Sequence, residues 1–98
     1  MTLDECTQAI RAKVGDDSGL DATLRFDCGA DGSIYIDGRA APNRVTNATE
    51  AADCTVGITL GNLGALLRRE LEPATGFMTG KLTVSGDMGV AMRLQRVI

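Results

Sequence analysis

Residues 80–92 read GKLTVSGDMGVAM. Leu82 and Val84 alternate with polar neighbours as in a strand, and a helical spacing of apolar residues begins at Met88. A strand that turns through glycines into a helix is the outline of many phosphate-binding loops, in which free N–H groups at the helix start hold the anion. Here Asp87 stands where the helix begins. Its carboxylate can accept those N–H groups itself, a cap worth roughly 0.5–2 kcal/mol, and an arriving phosphate would meet like charge. The stretch therefore reads as a self-capped corner between a last strand and a last helix over residues 87–98. Met88, Ala91, Met92 and Gln95 share one face of that helix. Methionines at such spacing either fill a core or form a plastic surface that repacks around varied apolar ligands.

Working back from this corner, residues 73–79, PATGFMT, suggest a short helix. Before it, Leu60, Leu63, Leu66, Leu67 and Leu71 follow helical spacing, with Thr59 as a cap and Pro73 as the stop. The period is two further upstream. Cys54, Val56 and Ile58 mark a strand, Val45 to Thr49 a weaker polar one suited to a sheet edge, and Ile34 and Ile36 another. Leu20, Ala22, Leu24, Phe26 and Cys28 alternate with Asp21, Thr23, Arg25 and Asp27, a strand with one buried and one wet face. Leu3, Cys6, Ile10 and Val14 form a first helical face, and Thr2 with Glu5 makes a capping-box pattern. The order α-β-β-β-β-α-α-β-α predicts an α+β domain over residues 1–98, one sheet with helices over its apolar face.

Composition removes several functions. The 98 residues are 44% hydrophobic and 23% charged with a net charge of −3, an ordinary globular balance without a field for nucleic acid. Phe26, Tyr35 and Phe77 are the only aromatics, too few to stack successive bases. No histidine is present, which removes Ser-His and Cys-His pairs, the usual neutral-pH base and most zinc sites. Asp27 to Ile34 begins like a calcium loop, yet its third position is Gly29 and its twelfth is Gly38, so it reads as a hairpin turn. Neither metal nor cofactor is expected. No run approaches the ~18 apolar residues of a membrane span. Cys6, Cys28 and Cys54 have no CxxC spacing and suit a reducing, cytoplasmic setting. Residues 61–98 carry five bases against three acids, a balance that suits either a solvated helix face or transient contact with an anionic membrane.

Residues 52–95 resemble the sterol carrier protein type two domain, also called nonspecific lipid-transfer protein. The resemblance rests on Ala52-Asp53-Cys54-Thr55, Leu66, Pro73, Phe77, Gly80-Lys81-Leu82, Gly86, Met88-Gly89, Ala91-Met92 and Leu94-Gln95. It implies a five-stranded mixed, mostly antiparallel sheet, covered on one face by helices that enclose an apolar tunnel. It also implies non-catalytic binding and transfer of lipids: fatty acids, fatty acyl-CoA esters, sterol-like molecules or phospholipids. Carried onto this chain, the tunnel would be lined by Leu63, Leu66, Leu67, Leu71, Phe77, Met78, Met88 and Met92, over a floor of Leu24, Phe26 and Ile36. Burying about ten methylenes there would gain roughly 8 kcal/mol before ordering costs. Peroxisomal members of the family end in a Ser-Lys-Leu address, where this chain has Arg96-Val97-Ile98, so a cytoplasmic location is expected. Without the longer tail, the tunnel mouth would be open or capped by another copy. The alternative function is an accessory domain that presents a lipid intermediate to biosynthetic enzymes. A third, an enzyme acting on an acyl thioester, lacks a visible base.

Overall fold

Period-two alternation buries one face of every strand, and the computed structural model, which describes residues 1–98, assembles them into one sheet. Its strands are Thr23–Asp27 (β1), Ser33–Asp37 (β2), Arg44–Thr46 (β3), Cys54–Ile58 (β4) and Leu82–Gly86 (β5), in the order β3-β2-β1-β4-β5. β1 and β4 run parallel; the other three pairings are antiparallel. The mixed, mostly antiparallel α+β architecture is thus the one expected. Its register lays apolar rows across the inner face: Val45, Ile36, Leu24 and Cys54 in one, Ile34, Phe26, Val56 and the half-buried Val84 in the next. The outer face carries Thr23, Arg25, Asp27, Tyr35, Thr55 and Ser85 and has no covering layer.

The helices Leu3–Val14 (α1), Leu60–Leu67 (α2), Pro73–Met78 (α3) and Met88–Ala91 (α4) cover the inner face. α1 lies over β2 and β3, and α3 and α4 lie over the β4–β5 end. The first helix starts with its capping box formed: Glu5 N donates to Thr2 Oγ1 at 3.1 Å, and Thr2 N to Glu5 Oε1 at 2.8 Å. Cys6, Ile10 and Val14 from α1 join Leu24, Phe26, Ile34, Ile36, Val56 and Leu63 in one core. Each buried side chain of this size contributes about 1.5–3 kcal/mol relative to exposure.

A reciprocal clamp holds the parallel pair. Asp53 N donates to Thr23 Oγ1 at 2.8 Å, and Thr23 N donates to Asp53 Oδ2 at 3.0 Å. Arg39 completes it with an ion pair to the same carboxylate at 2.9 Å. The Thr23 backbone bond is the main reason the Asp53 carboxyl sits below its usual range; burial works against it, while the Thr23 hydroxyl and Arg39 add to it.

Four element boundaries differ from the sequence expectation. β1 begins at Thr23 instead of Leu20 because Asp21 takes a left-handed φ of 51°, although Leu20 and Ala22 stay buried. β3 stops at Thr46, since the Asn47 amide turns inward to donate to Ser33 O and Thr7 Oγ1. α2 ends at Leu67 instead of Leu71, the chain reversing through Arg69 at φ 62°. The last helix is broken: α4 is a single turn, followed by a 3-10 turn at Leu94–Arg96. Tightened bonds from Arg93 N to Val90 O and from Val97 N to Leu94 O turn Val90, Leu94 and Val97 into the core.

Candidate functional site

The corner between β5 and α4 is built as the sequence suggested. Asp87 Oδ1 accepts the Gly89 N–H at 2.8 Å, capping α4. Asp87 N donates to Asp53 O at 2.8 Å, which anchors the corner to β4. Gly86 sits between them at φ 98°, and a Cβ there would run into the Asp53 carbonyl, so the turn requires glycine. On the other side of β5, Pro73 opens α3 at a position where its missing N–H is harmless.

These three elements enclose a cleft of about 280 Å³. Pro73, Ala74 and Phe77 line it from α3, Leu82 and Val84 from β5, and Met88, Ala91, Met92, Leu94 and Gln95 from the C-terminal segment. Leu82 and Leu94 are buried, whereas Phe77 is 50% exposed, Met88 52% and Met92 86%. The polar member of the lining is Gln95; no lining residue is ionisable. Such a wall offers apolar surface and polarisable thioethers but no acid, base or nucleophile. A larger hollow of about 460 Å³ lies beside it, rimmed by Lys13, Arg69 and Glu72. Its rim is polar and charged, so the smaller cleft is the better apolar site.

The residues placed in the tunnel by resemblance divide into three groups. Phe77, Met88 and Met92 come together at the cleft. Met78 is 84% exposed and outside the lining. Leu24, Phe26, Ile36, Leu63 and Leu66 are buried in the central core, with Leu67 and Leu71 partly buried against it. Those side chains pack together between the sheet, α1 and α2, and the apolar opening the structure presents is a cleft at the sheet's β5 end. The lining also includes Pro73, Ala74, Leu82, Val84 and Leu94, which sequence reasoning did not single out as site residues. The common face of Met88, Ala91, Met92 and Gln95 was the pattern that pointed here.

Buried thiols lie apart from the cleft. Cys6, Cys28 and Cys54 are free and buried, and burial pushes the Cys28 thiol up to about 11. Desolvation raises the other two as well. Neutral buried thiols are poor nucleophiles.

A five-stranded mixed sheet with helices on one face and an uncharged apolar recess at its last strand defines an α+β domain with an apolar cleft. The chain belongs to the SCP-2 sterol transfer family, whose model matches residues 7–98. Sterol carrier protein 2 of Gallus gallus is 43% identical over 51 residues, which cover 52% of this chain and 9% of that protein. The chain therefore spans only a small part of the curated relatives it matches. Sterol Carrier Protein 2 Like 2 from Aedes aegypti superposes with a TM-score of 0.78 at 21% identity, over 98% of this chain and 95% of that one. A palmitated form of that protein gives a TM-score of 0.72 at 22% identity, over 99% and 94% of the two chains. The fold also occurs inside an enzyme. The sec-alkyl sulfatase PisA1 of a Pseudomonas species, as a double mutant, matches all of this chain with 16% of its own, at a TM-score of 0.72 and 19% identity.

Proposed function

We propose that this domain binds lipids by laying one alkyl tail in the cleft between α3, β5 and α4, without transforming it. The observation that carries this reading is the lining itself: ten residues, eight of them hydrophobic and none ionisable, with Phe77, Met88 and Met92 among them left exposed by the fold. A volume of about 280 Å³ falls just below the roughly 300–1,000 Å³ of ligand pockets. It suits a fatty acid or fatty acyl tail with its head in solvent better than a whole sterol ring system. The palmitated relative supports an acyl ligand.

Because the cleft opens to solvent, a tail can slide in sideways and leave the same way. That favours transfer between membranes or enzymes over storage. Three free thiols support a reducing, cytoplasmic setting. The second reading, a module presenting a lipid to an enzyme, is favoured by the occurrence of this fold within a larger enzyme.

Native mass spectrometry of the purified protein, with titration of a fluorescent fatty acid, tests the lipid reading. A stoichiometric complex is expected, competed by palmitate. The absence of both a bound lipid and saturable fatty-acid binding would overturn it.

A further inference from the structure

The two edges of the sheet are finished differently. β3 is three residues long, carries Arg44, and lies against α1, whose Arg11 Nη2 donates to Val45 O at 2.7 Å. Short, charged and covered strands are how proteins protect an edge. β5 is five residues, LTVSG, with neither charge nor proline, and no strand follows it in the sheet.

The ladder shows which peptide groups β5 leaves free. Gly38 N donates to Ala22 O and Cys28 N to Gly32 O, so the even-numbered residues of β1 turn toward β2. The odd-numbered ones then turn toward β4. With Arg25 beside Thr55 in the parallel pair, odd-numbered residues of β4 face β5. Asp87 N to Asp53 O shows that phase directly. Leu82, Val84 and Gly86 therefore direct their N–H and C=O groups to the open side, and no side chain or loop bonds to them.

We infer that β5 is the pairing edge for a second copy of this chain, related by a twofold axis at Val84. In that antiparallel arrangement Val84 exchanges both bonds with Val84 of the other copy, and Leu82 lies opposite Gly86, so every outward-facing residue is paired. The ends of the strand select this register. Lys81 precedes β5 and Asp87 follows it, and the twofold sets each Lys81 against the other copy's Asp87 in a non-hydrogen-bonded position, where side chains approach closest. A parallel alignment would set Lys81 against Lys81. Asp87 commits Oδ1 to the Gly89 cap, and its second carboxylate oxygen remains for the cross-copy pair. On the inner face Leu82 and Val84 line the cleft, so the pairing joins two clefts across Val84 and gives each half-exposed Met88 and Phe77 an apolar neighbour surface. The inference stands on the sheet edge and is independent of which ligand the cleft takes.

Sedimentation and site-directed cross-linking test it. The wild-type chain is expected to dimerise reversibly, and Lys81→Glu, which lies outside the cleft lining, to raise the dimer dissociation constant about tenfold at low salt. In this register Thr83 faces Ser85. An equimolar mixture of Thr83→Cys and Ser85→Cys chains should form a disulfide-linked heterodimer under mild oxidation, while each variant alone should not cross-link. The native thiols are buried, and circular dichroism of both variants serves as the control for folding. A folded wild-type chain that stays monomeric up to about 1 mM, or cross-linking no greater in the mixture than in each variant alone, overturns the proposal.

Discussion

Met92 and Met78 are matched in residue type and exposure but not in position relative to the cleft. They are 86% and 84% exposed, and Met92 lines the cleft whereas Met78 does not. Replacing either with glutamate in the free protein should shift stability by no more than about 0.5 kcal/mol, the usual range for exposed substitutions. Binding should separate them. A tail lying in the cleft covers Met92, and full burial of such a side chain contributes about 1.5–3 kcal/mol. With most of Met92 still exposed in the free state, about 2 kcal/mol is at stake, or about thirtyfold in affinity. We expect Met92→Glu to weaken fluorescent fatty-acid binding by about that factor, and Met78→Glu to leave the dissociation constant within about twofold. Urea unfolding of the ligand-free variants supplies the control. Equal losses for the two variants, or no loss for Met92→Glu, would refute the assignment of the tail to this cleft.

Three further outcomes follow from the core and the corner. Gly86→Ala should destabilise by more than about 1 kcal/mol in urea unfolding, because its φ of 98° and the Asp53 carbonyl both oppose a Cβ. The Asp53 carboxyl is held below its usual value of 3.8, so its contribution is complete above that pH and is lost as pH falls through the lower folded value. Acid unfolding followed by circular dichroism should accordingly be less steep below pH 3.8 in Asp53→Asn. The thiols, buried and with Cys28 raised to about 11, should resist a disulfide reagent at pH 8 and react together only on unfolding. Rapid labelling of Cys28 in the native protein would contradict the burial argument.

Much of the fold was legible because one-sided burial writes itself into spacing. Leu24 and Phe26 alternate with Thr23, Arg25 and Asp27, and the structure buries the first set while leaving the second on the wet face. The Thr2–Glu5 box and the Asp87 cap are local devices, readable from neighbours alone. Breaks that depend on distant contacts were not legible. Asn47 leaves the edge strand for Thr7, forty positions away, and the final helix tightens so that Leu94 and Val97 reach the core. The same division applies to the site. The face shared by Met88, Ala91, Met92 and Gln95 is a local pattern and does line the cleft. Whether Leu63 or Leu24 meets a ligand or another side chain depends on how tightly sheet and helices interlock, and spacing carries no information about that.

All residues that line the cleft fall between Pro73 and Gln95, and their sheet component, β5, is bonded to a neighbour on one side only. In protein synthesis this is the last strand to emerge, added beside β4, whose other edge is already taken by β1. In the single chain a strand held along one edge exchanges its amide hydrogens ahead of the central strands, and pairing with a second copy would slow that exchange in β5. The site thus rests on the strand whose hold depends on the assembly: loosely bordered in a lone chain and bordered on both sides in the pair, so dimerisation would tune how freely the cleft floor yields to a long tail.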